Sequence, residues 1–249
     1  MAFFQIEFFS FSLGKAVMVN AFIPQGRDHY KTLLLLHGLS DDHSAWQRYT
    51  RMENYAEGAG LAVIMPNVDR SFYVNTAAGD RYFDFVANEL PETMCTFFRG
   101  MTKERSDNFV AGLSMGGYGA FKTALTYPDR YAAACSLSGA LDIPFLYKDL
   151  KLADKKYFEN IFGAFEEFEG SENDLFALLE KRAADGVKLP KLFMTCGSSD
   201  AILPCSRSFY AKARALSVDV VYKEAEGTHN WTFWDRHIRD FVDFIARSE

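Results

Sequence analysis

The pentapeptide Gly112-Leu113-Ser114-Met115-Gly116 carries the clearest chemical signal in the chain. It follows the strand-like run Asn108-Phe109-Val110-Ala111 and precedes a run in which Phe121, Ala124 and Leu125 share a helix face. A serine held on a sharp strand-to-helix turn stands clear of its sheet, and bulky residues two places away on either side would collide. Its hydroxyl then sits at a helix N-terminus, where amide groups and the helix dipole favour developing negative charge. The chemistry this suits is nucleophilic attack on an acyl carbon.

A serine hydroxyl needs a base. Downstream, Met194-Thr195-Cys196-Gly197-Ser198-Ser199-Asp200 runs off the end of a strand-like segment, and Glu226-Gly227-Thr228-His229-Asn230-Trp231 follows the last one. The order nucleophile, acid, histidine points to Asp200 and His229. Asp185 and Asp219 sit less well relative to a strand end. Of the five histidines only His229 and His237 follow Asp200, and His237 falls inside the final helical run. The expected roles are Ser114 as nucleophile, His229 as general base and Asp200 as its orienting partner.

A tetrahedral intermediate needs donors for its oxyanion. The backbone N–H of Met115 is one candidate. The N–H of Leu39, in the loop His37-Gly38-Leu39-Ser40, is the second. Losing one such donor raises a barrier by about 3–4 kcal/mol. His37 ends a buried run and is expected to bind neighbouring loop backbone. His43 and Trp231 are candidate pocket-lining residues, while Trp234 reads as core.

These residues require a scaffold. Residues 3–11 and 16–23 read as a hairpin at a sheet edge. The unbroken apolar runs at 32–36 and 61–65 suit strands covered on both faces. Further strand-like runs fall near 108–111, 131–137, 192–196 and 218–222. Helical patterns lie between them at 45–57, 80–98 (interrupted by Pro91), 115–126, 206–216 and 232–246. The alternation predicts an α/β fold with a mostly parallel central sheet and helices on both faces. Residues 141–188 break the rhythm with many aromatics and read as a small helical insertion over the carboxyl edge. An ordinary helical crossover is the alternative. No repeat or linker divides the 249 residues, so one domain is expected.

Composition excludes other classes. About half the residues are apolar, 24 of them Phe, and the net charge is -6. No Lys/Arg cluster could track a nucleic acid. No stretch approaches the roughly 20 apolar residues that cross a bilayer. The opening MAFFQIEFFSFSLGK has no basic start and fits a secretory signal poorly. The four cysteines lack metal spacing and read as reduced thiols. A sequon, Asn230-Trp231-Thr232, adjoins His229, where a glycan would obstruct the site. Together these favour the cytoplasm.

HGLS at 37–40, AGLSMGGYGAFK at 111–122, SLSGALD at 136–142, CGSSD at 196–200 and GTHNW at 227–231 together resemble the esterase D and tributyrin-esterase family of α/β-hydrolases, a group also similar to acetyl-xylan and feruloyl esterases. The resemblance runs over nearly the whole chain. It implies a serine carboxylesterase acting on short-chain acyl esters, acetyl to butyryl, acetylated sugars among them. It implies an acyl-enzyme on Ser114, with no metal and no organic cofactor. The implied partner is a small-molecule ester, and a homo-oligomer is compatible with it. S-formylglutathione hydrolases of this group usually carry a cysteine in the loop after HGL. Here Ser40-Asp41-Asp42-His43 stands there, which argues against a glutathione thioester. The resemblance also accommodates a feruloyl or acetyl-xylan esterase and, less readily, an acyltransferase.

Overall fold

The computed structural model describes residues 1–148 and 154–247. Eight strands form one sheet: β1 (Ala2–Ser10), β2 (Lys15–Ile23), β3 (Thr32–Leu36), β4 (Ala62–Pro66), β5 (Asn108–Leu113), β6 (Ala133–Leu137), β7 (Lys191–Gly197) and β8 (Val220–Ala225). Their order is β1-β2-β4-β3-β5-β6-β7-β8. The β1–β2 hairpin and the β2–β4 pair are antiparallel, and every later pair is parallel. The expected α/β-hydrolase fold is what the chain adopts.

The Leu run of β3 shows how apolar sequence becomes two cores. Side chains alternate across a strand. Leu34 and Leu36 enter one buried cluster, and Leu33 and Leu35 enter the other on the opposite face. Helices cover both. On one face lie α1 (Ala45–Tyr49), α2 (Met52–Ala59) and, at the far end of the chain, α10 (Trp231–Arg247), whose buried stripe includes Trp234, Ile238, Phe241 and Ile245. On the other lie α3 (Tyr82–Asp84), a π-helical turn over Phe85–Glu89, α4 (Leu90–Phe97) and α5 (Met115–Thr126). The single helix expected over 45–57 is therefore two. Pro91 interrupts the 80–98 run by following a widened π turn.

Residues 141–188 combine both expected forms, apart from 149–153, which lie outside the described residues. α6 (Ile143–Lys148) and α7 (Lys155–Phe162) lead to α8 (Leu175–Ala184), which packs on α5 and on α9 (Leu203–Ala215) and serves as the β6–β7 crossover. α7 lies at the carboxyl edge, where Phe158 and Phe162 pack on Phe72 from the loop after β4. Among the described residues no helix is long and apolar enough to cross a membrane. All four cysteines are unpaired; Cys135, Cys196 and Cys205 are buried, and Cys95 is half-buried.

Lys122 ties this segment to α5. Its buried ammonium donates to Glu172 O and Asn173 Oδ1, both at 2.8 Å, and lies over the Phe83 ring. Burial pushes its pKa down to about 8. An unfolded lysine keeps its proton to about 10.4. Between those values the unfolded chain binds the extra proton, so stability at this position rises with pH. Relative to Lys122→Met, the unaltered chain should gain about 2–3 kcal/mol from pH 8 to pH 10.5, read by chemical denaturation at the two pH values.

Candidate active site

Ser114 joins β5 to α5 with φ 52 and ψ -117. A side-chain-bearing residue adopts such a conformation only when its surroundings hold it there, at a cost of order 1–3 kcal/mol. Four bonds do the holding: Ser114 N–H donates to Leu137 O at 2.9 Å, and Ala140 N–H and Gly117 N–H at 3.0 Å and Tyr118 N–H at 3.2 Å donate to Ser114 O. The flanking glycines are sterically required. A Cβ on Gly112 would overlap the backbone of Gly116, and one on Gly116 would overlap the carbonyls of Leu36 and His37.

Asp200 and His229 come from the ends of β7 and β8. Strands sit about 4.8 Å apart, so β8 lies roughly 14 Å from β5 across the sheet. The two loops must fold back. They do so at a glycine contact: a Cβ on Gly197 would overlap Gly227, and Ser199 N–H donates to Gly227 O at 2.9 Å. As a result His229 Nε2 lies 3.0 Å from Ser114 Oγ, and its Nδ1 lies 2.9 and 3.1 Å from the two Asp200 carboxylate oxygens. An ionised carboxylate only accepts, so Nδ1–H donates to Asp200 and Nε2 is free to accept from the serine.

The Asp200 side chain is fully buried. Burial pushes its pKa up, but the His229 imidazole and the Ile202 N–H at 3.0 Å outweigh that and hold it below the ordinary carboxylate value. The Ser138 hydroxyl lies beside it without a well-formed hydrogen bond. Ser138 also has a positive φ, of 47, and its N–H donates to Thr195 O at 2.7 Å.

The loop after β3 abuts Ser114: a Cβ on Gly38 would lie 3.8 Å from Ser114 Cβ. Leu39 N–H has no hydrogen-bond partner among the described residues. Met115 is the first residue of α5, where an N–H has no acceptor within the helix. His37 pins the loop. Its Nδ1–H donates to Gly38 O at 2.7 Å, its Nε2 accepts from Val68 N–H at 3.1 Å, and its carbonyl accepts from the buried Tyr73 hydroxyl at 2.9 Å. Asp41 adds a second clamp, accepting from Gly38 N–H at 3.2 Å, and its half-buried carboxyl is raised by burial despite that amide.

His43 is half-buried, and its Nδ1 is enclosed without a partner. Trp231 stacks on the exposed Tyr49 at 4.9 Å and stands edge-on to Trp46 and Trp234. Trp234 is in the core, as its spacing suggests, but it also packs edge-on against His229 at 4.9 Å. His237 stays on α10 with Asp240 as its partner. Sequence reasoning missed the roles of Tyr73, Asp41, Tyr49 and Ser138; of these Asp41, in the loop after HGL, and Ser138, inside the SLSGALD segment, carried a signal.

The Esterase family model matches residues 10–244. The chain belongs to this esterase family. An acetyl esterase of Caldicellulosiruptor saccharolyticus is 31% identical to it, with 99% of each chain covered. Among solved structures, substrate-bound FphF, a fluorophosphonate-binding serine hydrolase of Staphylococcus aureus, superimposes with a TM-score of 0.92 at 33% identity, covering 99% of this chain and 98% of that one. The S-formylglutathione hydrolase FrmB of the same organism gives 0.90 at 34% identity, with 99% of each covered. The esterase is a serine hydrolase of the carboxylic-ester class.

Burial pushes the His37 imidazole down to about 4. Its folded pKa lies below the unfolded 6.5, so its contribution is complete above pH 6.5 and drains away as pH falls toward 4. The esterase should lose about 3 kcal/mol of stability over that interval relative to His37→Asn, measured by urea unfolding at both ends. Gly116→Ala should unfold the elbow and abolish both activity and labelling by a fluorophosphonate.

Proposed function

We propose that Ser114, His229 and Asp200 act as nucleophile, general base and orienting acid in the hydrolysis of short-chain acyl esters, acetyl to butyryl. The observation that carries this reading is the continuous hydrogen-bonded line from Ser114 Oγ through His229 to Asp200. His229 takes the hydroxyl proton as Ser114 Oγ bonds to the acyl carbon. The oxyanion rests on the N–H groups of Leu39 and Met115. The tetrahedral species collapses, and His229 gives the proton to the departing alcohol. Water then attacks the acyl-enzyme by the same route, releasing the acid and free Ser114. Asp200, held ionised, stabilises the imidazolium formed at each step.

The short acyl group is supported by the likeness to an acetyl esterase over the full chain. The stacked Tyr49–Trp231 pair and His43 are proposed to flank the alcohol. Hydrolysis of an S-formylglutathione thioester is the second reading, favoured by the likeness to FrmB. Asp41 and Asp42 weigh against it, because glutathione is anionic and Asp41 is close enough to His229 for their charges to interact. Four unpaired cysteines and the sequon beside His229 suit the cytoplasm. One catalytic domain spanning the chain is part of the same proposal.

Ser114→Ala should remove turnover of p-nitrophenyl acetate and butyrate with thermal unfolding unchanged; retained turnover rejects the assignment. Asp200→Asn should lower kcat about 10⁴-fold, since the imidazole loses its preferred tautomer. Acetate, butyrate and S-formylglutathione compared by kcat/KM decide between the two readings.

A further inference from the structure

A cavity of about 250 Å³ lies at the opposite, amino edge of the sheet. It is lined where β3 and β5 begin, at Thr32, Asn108 and Phe109, and by α4. The six residues of β5 put it roughly 20 Å from Ser114. Its body is apolar, formed by Leu34, Ile64, Leu90 and Met94. Polar groups break that character, Thr32 Oγ1 among them, which is buried without a hydrogen-bond partner among the described residues. Tyr131 is 5% exposed, lines the cavity, and its hydroxyl has no hydrogen-bond partner among the described residues. Arg130 stands at the rim for a backbone reason. Pro91 has no N–H to give to the Ala87 carbonyl one turn back. Arg130 Nη1 supplies that bond at 2.9 Å and also reaches Asn88 Oδ1 at 2.9 Å, with the guanidinium seated on the Tyr127 ring. Its Nε and Nη2 donors have no hydrogen-bond partner among the described residues. Glu92 on the same rim is held by Lys103 at 2.6 Å, leaving the rim trio Arg130, Lys103 and Glu92 net positive.

We propose that this cavity is a second ligand site, which takes a short-chain monocarboxylate with its chain among Leu34, Ile64, Leu90 and Met94 and its carboxylate on Arg130. The guanidinium fork suits a carboxylate. At roughly 30 Å³ per non-hydrogen atom the space holds about eight such atoms, the size of hexanoate. The ligand is of the class of acid that ester hydrolysis releases, but the site is separate from the one that releases it.

Cys95 makes the site readable without activity. It lines the cavity, and it is the one cysteine of the four that is not buried. Alkylation of the unaltered chain by N-ethylmaleimide, followed by intact mass, therefore reports on occupancy. Hexanoate should slow Cys95 alkylation at a concentration at least about tenfold below that at which hexanol does so. Arg130→Gln should raise the protecting concentration of hexanoate by a similar factor. Should Arg130→Gln not fold, hexanoate against hexanol on the unaltered chain decides the same point. Alkylation that hexanoate leaves unchanged overturns the site. Equal protection by hexanol overturns its selectivity for a carboxylate.

Discussion

The first turn of α5 presses against the carboxyl end of β3, and the rest of the site is arranged around that contact. At Gly116 there is no room for a side chain beside the carbonyls of Leu36 and His37. At Gly112 there is none beside Gly116 itself. The chain can leave β5 and enter α5 at this distance only by turning sharply, and Ser114 absorbs the turn with its positive φ. The same closeness brings Gly38 next to Ser114, so the proposed nucleophile and the proposed oxyanion loop share one packing constraint.

That constraint needs rigid support, which comes from buried polar groups outside the reacting line. His37 satisfies one carbonyl and one amide of two different loops, and Tyr73 reaches its carbonyl from a third position. Tyr73 itself has a positive φ, and Gly119 of α5 packs against its ring with no space for a Cβ. Strain in the loop after β4 is thus held by the same helix that carries Ser114. A neutral, desolvated His37 is the condition for this support, because a protonated ring could not accept from Val68.

The other half of the proposed triad has a different origin. β7 and β8 are the last two strands of the sheet, with Gly197 paired to Ala225 in register. Their loops meet at Gly197 and Gly227 and lean back toward β5. Burial of the Asp200 carboxylate would be costly alone. The His229 N–H and the Ile202 amide offset it, and they keep the group ionised.

Strand runs, their alternation with helices and the chemical residues at strand ends were legible in the sequence because each is written in local periodicity and turn chemistry. The Leu run of β3, the Gly-x-Ser-x-Gly turn and the order Ser114, Asp200, His229 are of this kind. The split of 45–57 into two helices was not legible, because α1 and α2 are separated by contacts made elsewhere: the Thr50 hydroxyl turns back to Trp46 O, and Arg51 N–H donates to Asp235 of α10. Nor was the support from Tyr73 and Asp41, or the aromatic packing of Trp234 on His229. The amino-edge cavity was equally hidden, since it depends on Arg130 meeting a carbonyl left open by Pro91. The sequence by itself determined which residues could do acyl chemistry and in what order they occur. Tertiary structure alone decided that they meet, because a contact across 29 or 115 positions depends on strand order, register and backbone approach, none of which a local pattern encodes.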